Sequence, residues 1–223
     1  MPAEWEDPDG ALPPKSIVRT GWDRVSEVYR PDDAPHDRFG HTAREHADWL
    51  RPLLERLPRR ARVVDLGCGC GVPDCALLVE RFEVTGVDIS DVQIARARRL
   101  VPRATFLRAD MTEVTFPSRS VAGVVCLYAL IHVPLREQHP LLARIRDWLV
   151  PGGLFLVVTG REAYTGVESD WLGSGSPMYW SHADAATYAR WFRETGFEIE
   201  HEETVPEGEA TSHELFLLRA AEL

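Results

Sequence analysis

Apolar positions along this chain recur at two spacings, one helical and one strand-like, and the two alternate. Residues 41–57 place Ala43, Ala47, Leu50, Leu54 and Leu57 on one stripe of a helix. A strand-like run, Val63-Val64-Asp65-Leu66, follows and ends in closely spaced glycines. The pattern then predicts a helix over Pro73–Arg81, a strand over Glu83–Ile89 and a helix over Ser90–Leu100 with Ser90 as its N-cap. Strands over Ala104–Ala109 and Val121–Leu127 come next, then a helix over Arg136–Leu149 and a strand over Gly153–Thr159 behind the Pro151-Gly152-Gly153 turn. A helix near Asp184–Thr195 stops at Gly196-Phe197, and strands Glu198–Val205 and His213–Arg219 flank a polar Pro-Glu-Gly-Glu segment that suits a hairpin. Strands alternating with helices call for a parallel sheet covered on both faces, an α/β fold.

Composition narrows the class without changing that picture. The 223 residues, 44% hydrophobic and 27% charged, suffice for one domain with a full core but not two. Thirty-five acids against 25 bases give a net charge of −10, and no basic run appears, so a nucleic-acid partner is disfavoured by long-range repulsion. Lys15 is the only lysine. The acidic, Pro-rich start reads as a disordered arm over residues 1–20, without the basic and apolar stretches of a secretory signal. The longest apolar run, Val121–Val133, has 13 residues, too few to span a bilayer. A cytoplasmic protein with no membrane partner is expected. The four cysteines read as reduced thiols filling small apolar sites, and no second CxxC-like unit completes a metal site.

The densest chemistry lies in Asp65-Leu66-Gly67-Cys68-Gly69-Cys70-Gly71. Glycines spaced by one residue let the chain fold back tightly after a strand and point N–H groups at a bound molecule before entering a helix. Asp88, 23 positions after Asp65 at the end of the next strand, is placed to accept both hydroxyls of a ribose.

The order of elements and the Asp65-x-Gly67-x-Gly69-x-Gly71 turn resemble the class I S-adenosylmethionine-dependent methyltransferases. Further marks agree: Asp88, Ala109-Asp110-Met111 after the third strand, Leu130-Ile131-His132-Val133-Pro134 after the fourth, and Leu149-x-Pro151-Gly152-Gly153 before the fifth. The resemblance covers residues 20–220 and implies a Rossmann-like, seven-stranded, mostly parallel sheet with a C-terminal antiparallel hairpin. Residues 21–223 then form one domain, with a helical cap over 21–60. The resemblance further implies that S-adenosylmethionine is the cofactor, with the Gly67, Cys68 and Gly69 backbone facing its methionine part and Asp65 organising its ammonium. Asp88 would hold the ribose, Asp110 the adenine amino group, Ile89 and Met111 the ring faces, and the backbone near Leu127 the ammonium. Tyr29 resembles an N-terminal aromatic that closes over the cofactor.

Methyl transfer from a sulfonium is an in-line displacement, in which positioning and exclusion of water supply most of the rate. A base is needed only for acceptors that enter protonated. His132, at the carboxyl edge of the sheet, and His182 are the candidates. Residues 160–182 form an insertion where relatives build the acceptor pocket. Its Tyr164, Trp171, Tyr179 and Trp180, with Tyr128 after the fourth strand, suit a lid over a small, partly apolar or ring-containing substrate. A homodimer is admitted. Two rivals stand beside this reading. One is a protein that binds the same cofactor without methylating, as a cyclase, another group-transfer enzyme or a regulator. The other is a nicotinamide dehydrogenase, whose fingerprint wants a glycine where Asp74 stands. Cys126-Leu127-Tyr128-Ala129 lacks the Asn/Asp-Pro-Pro-aromatic motif of enzymes that methylate amino groups of nucleic acids.

Overall fold

The computed structural model describes residues 12–207 and 211–222. Helix α1 (Pro14–Tyr29) and helix α2 (Ala43–Arg56) precede the sheet. Strand β1 (Arg62–Leu66), helix α3 (Asp74–Leu78), strand β2 (Glu83–Asp88), helix α4 (Asp91–Leu100) and strand β3 (Thr105–Arg108) build the first half. Strand β4 (Val121–Cys126), helix α5 (Leu135–Trp148) and strand β5 (Leu149–Gly160) follow, then strands β6 (Tyr164–Glu168) and β7 (Met178–His182). Helix α6 (Ala185–Glu194), strand β8 (Phe197–Glu207) and strand β9 (Thr211–Ala220) end the chain.

Seven strands lie in the order β3-β2-β1-β4-β5-β9-β8, and every pairing from β3 to β5 is parallel. The C-terminal hairpin inserts β9, antiparallel, between β5 and β8. Strand period 2 sends neighbouring residues to opposite faces. Val64, Cys126, Phe155 and Phe216 meet Leu141, Ile145, Tyr188 and Phe192 of α5 and α6 on one face. Val63, Val125, Leu156 and Leu217 meet Leu50, Leu53, Leu78 and Ile94 of α2, α3 and α4 on the other.

Helix α1 begins at Pro14, so the boundary expected between an arm and the domain at residue 20 falls inside a helix. Proline at the first helical position costs no hydrogen bond, and Ile17, Val18 and Val25 bury an apolar stripe that a disordered arm would leave in water. Residues 1–11 of the expected arm lie outside the described residues. The insertion, expected as a lid, pairs β6 with β7 in register from Tyr164↔His182 to Glu168↔Met178. Its Trp171, Met178 and Tyr179 pack on Ile17, Val18 and Val25 of α1, forming a roof over the carboxyl edge of the parallel strands.

Candidate functional site

The Gly-rich turn is held from behind. Gly67, Gly69 and Gly71 take positive φ of 75°, 53° and 79°, open to glycine at little cost. The Gly67 and Cys68 amides both donate to the Val87 carbonyl, at 2.7 and 3.0 Å. The Gly69 amide donates to Asp88 Oδ2 at 2.9 Å. Those three N–H groups, expected to face a ligand, instead lash the turn to β2. A Cβ on Gly67 would sit 2.1 Å from that of Ala129, whereas one on Gly69 would meet only Gln93, at 3.8 Å. Backbone there can be approached closely.

Asp88 also accepts the Ser90 amide at 2.8 Å, so its carboxylate joins the turn to the start of α4 while lining the cavity. Burial pushes it up to about 6, against the pull of the Ser90 and Gly69 amides. Asp65 does not share that cavity. It is buried behind the turn, where Cys75 Sγ donates to its Oδ2 at 3.2 Å, and burial with the nearby Asp74 charge pushes its carboxyl well above the usual range. Asp65, expected to organise the ammonium, stands behind the turn with its side chain toward Cys75 of α3 and not at the cavity wall.

Gly67, Cys68, Gly69, Ile89, Asp110, Met111, Leu127, Tyr128 and Tyr29 line one cavity of about 1020 Å³ at the carboxyl edge, with His132, His182, Tyr164, Trp171 and Trp180. Tyr179 is likewise a correction: its ring is buried in the roof away from the cavity wall, and its carbonyl accepts from His132. Asp110 receives Thr112 N and Oγ1 on one oxygen, at 2.8 and 2.9 Å, and Lys15 Nζ on the other at 2.6 Å. Burial of Asp110 is outweighed by Lys15 and Thr112, which hold its carboxyl below the usual range. Lys15 reaches from α1 and also pairs with Glu137, so the only lysine pins the cap to the sheet edge.

His132 is buried between Trp180, 4.4 Å away between ring centroids, and Trp22, 5.7 Å away. Its Nδ1 lies 2.8 Å from the Tyr179 carbonyl, which can only accept, so the proton sits on Nδ1 and Nε2 carries a lone pair. Burial pushes His132 down to about 4, so it is neutral and weakly basic near pH 7. His182, half-buried, is also pushed down by burial. The Tyr29 hydroxyl donates to Asp37 Oδ2 at 3.1 Å, and its ring meets Trp22 edge-on at 5.0 Å.

Sequence reasoning missed Trp22, Asp37, His41, His46, Gln93 and His213, and it gave Lys15 no role. The Asp37–His41, Trp22–Tyr29 and His46–Trp49 spacings are local. The contacts of Trp22 with His132 and Trp171, of Gln93 with Ser26, and of His213 with Tyr128 depend on chain closure over tens of residues.

Residues 63–153 match a protein-family model described as a methyltransferase domain. Over those residues the chain is similar to methyltransferase domains. Trans-aconitate 2-methyltransferase of Variovorax paradoxus is 38% identical over 110 residues, 47% of this chain and 41% of that protein. This chain spans less than half the length of the first curated relatives it matches. Among solved structures, the 4+2 cyclase SpnF superposes with a TM-score of 0.72 at 18% identity, covering 95% of this chain and 97% of that one. The 1,6-didemethyltoxoflavin-N1-methyltransferase of Burkholderia thailandensis gives 0.68 at 21% identity, covering 99% and 95%. Such identities establish the fold of this domain, not its chemistry.

Proposed function

We propose that this domain transfers a methyl group from S-adenosylmethionine to a small-molecule acceptor in a cytoplasmic setting. The observation that carries the reading is the charge and wiring of the cavity. Six acids, Asp37, Asp74, Asp88, Asp110, Glu162 and Glu168, line it against Lys15, Arg30 and Arg161. That balance favours a cationic ligand, whereas a dinucleotide brings a pyrophosphate that needs free amides at the turn. The Gly67, Cys68 and Gly69 amides are already taken, and Pro73 supplies none at the start of α3. These two facts weigh against a nicotinamide dehydrogenase.

The residues present fit the cofactor. Asp88 would accept the ribose hydroxyls, Ile89 and Met111 would flank the adenine, Asp110 would take its amino group, and carbonyls of the turn and Leu127 would hold the ammonium. When bound, the cofactor supplies an electrophilic methyl carbon on a sulfonium. The chain's own part is to orient and to keep water out. Trp22, Trp171 and Trp180 close the roof at ring-centroid separations of 4.9 and 5.7 Å, and Tyr29 closes the cap side. Neutral His132 offers a hydrogen-bond acceptor without bringing a second cation near the sulfonium. The aromatic roof suits an acceptor that is partly apolar or contains a ring.

A second reading has the domain use the same cofactor without methylating, since a cyclase of the same fold shows that the fold does not fix the chemistry. Calorimetric titration with S-adenosylmethionine, S-adenosylhomocysteine and NAD is the first test, and micromolar binding of only the adenosyl ligands is expected. Radiolabelled methyl transfer to a panel of phenols, amines and carboxylates follows. Binding without turnover would favour the second reading, and binding of NAD alone would overturn both.

A further inference from the structure

Tyr128 stands immediately beyond β4 with a positive φ of 57°, a conformation that costs a bulky residue of order 1 kcal/mol or more. The fold holds it there at the cavity wall, its ring stacked on His41 at 5.1 Å between centroids and tilted by 26°. Its hydroxyl lies 3.4 Å from His41 Nε2. His41 Nδ1 lies 3.2 Å from Asp37 Oδ2, and the His41 amide donates to Asp37 Oδ1 at 3.0 Å. A carboxylate on Nδ1 fixes the proton there and leaves Nε2 to accept from the tyrosine. Arg30, 3.6 Å away, and the Tyr29 hydroxyl face the same carboxylate. His41 and Asp37 are buried, at 5% and 3% exposure, while Tyr128 reaches the cavity. His213, 5.1 Å from the Tyr128 ring, and Trp49 also face it, and His46 lies 6.4 Å from the His41 ring.

We propose that Tyr128 is the proton acceptor for acceptors that enter the site protonated, with His41 and Asp37 as the positioning residues that take its proton in turn. The proposal rests on the methyl-transfer reading. The acceptor's lone pair forms the new bond to the methyl carbon, and the carbon–sulfur bond breaks with its pair left on sulfur. The acceptor's proton moves to the Tyr128 oxygen as the Tyr128 proton moves to His41 Nε2. The positive charge lost at sulfur reappears on the His41 imidazolium beside Asp37. It returns through Tyr128 to water once product has left. Long apo hydrogen bonds such as the one at 3.4 Å tighten in complexes of this kind. His132, held neutral under the roof, is not required for this step.

The test is nitrogen-15 NMR of the histidines in the full chain, with S-adenosylhomocysteine as the probe. Calorimetry comes first; failure to bind would bring down the methyl-transfer reading, and His41 would then be read in the ligand-free chain. Neutral His41 is expected to carry its proton on Nδ1. Its Nε2 resonance should shift in Tyr128→Phe, and its affinity for a second proton should fall at least tenfold in Asp37→Asn. A proton on Nε2, or an Nε2 resonance that Tyr128→Phe leaves unchanged, overturns the proposal. In turnover of the acceptor panel, Tyr128→Phe should lower kcat on phenols at least tenfold with KM within about threefold. Carboxylates, which carry no proton, should keep their kcat. Equal loss on both classes would assign Tyr128 to structure alone and also overturn the proposal.

Discussion

At the residue scale, the site depends on a few positions where no other side chain serves. Gly67 combines positive φ with Ala129 at its missing Cβ. Gly67→Ala is expected to cost about 2–4 kcal/mol, strain and overlap together, read as a lower urea midpoint, and to weaken S-adenosylhomocysteine binding in calorimetry. His132 makes a pH prediction with a definite sign. Its folded value is pushed to about 4, below the ordinary value of 6.5, so over that window the unfolded chain binds a proton that the fold refuses. Stability supported by neutral His132 is present above pH 6.5 and is lost as pH falls toward 4. Asp88, raised to about 6 from 3.8, acts with the opposite sign, losing stability as pH rises through that interval. The two are separated by comparing urea midpoints of wild type and His132→Asn from pH 4 to 7. The variant should fall less steeply toward acid, and an identical slope would show that His132 does not titrate as described.

At the scale of elements, the cap and the insertion build one roof from sequence-distant pieces. Trp171 is 3% exposed and meets Trp22 and Trp180 edge-on. Trp171→Ala should therefore cost about 3–5 kcal/mol in thermal or urea unfolding, with earlier proteolysis within β6–β7 and α1 than in the main sheet. A loss below about 1 kcal/mol would mean that the roof is not packed on α1. The hairpin of the insertion was hidden from the sequence because Tyr164–Glu168 and Met178–His182 carry no clean apolar alternation, their burial being set by α1 rather than by the main sheet. Helix α2 was legible as a helix, but its buried line runs through His46, Leu50, Leu53 and Leu57, with Ala43 of the expected stripe exposed; its Thr42–Glu45 capping box fixes the start.

At the scale of the whole molecule, the sequence by itself determined the alternation of strands and helices, the sheet they imply, the Gly-rich turn and the acid Asp88. All of these rest on interactions within a few residues or on a periodicity that burial imposes on each element alone. Asp65 shows the limit: its place in the motif was legible, its direction into the layer beneath α3 was not. Only the tertiary structure decided that β9 lies between β5 and β8, that Lys15 closes on Asp110, and that His41 meets Tyr128, 87 residues further along the chain. It also decided which amides of the turn are already bonded and which histidine is buried into neutrality. Those outcomes depend on which distant surfaces exclude water together, and no local pattern encodes that.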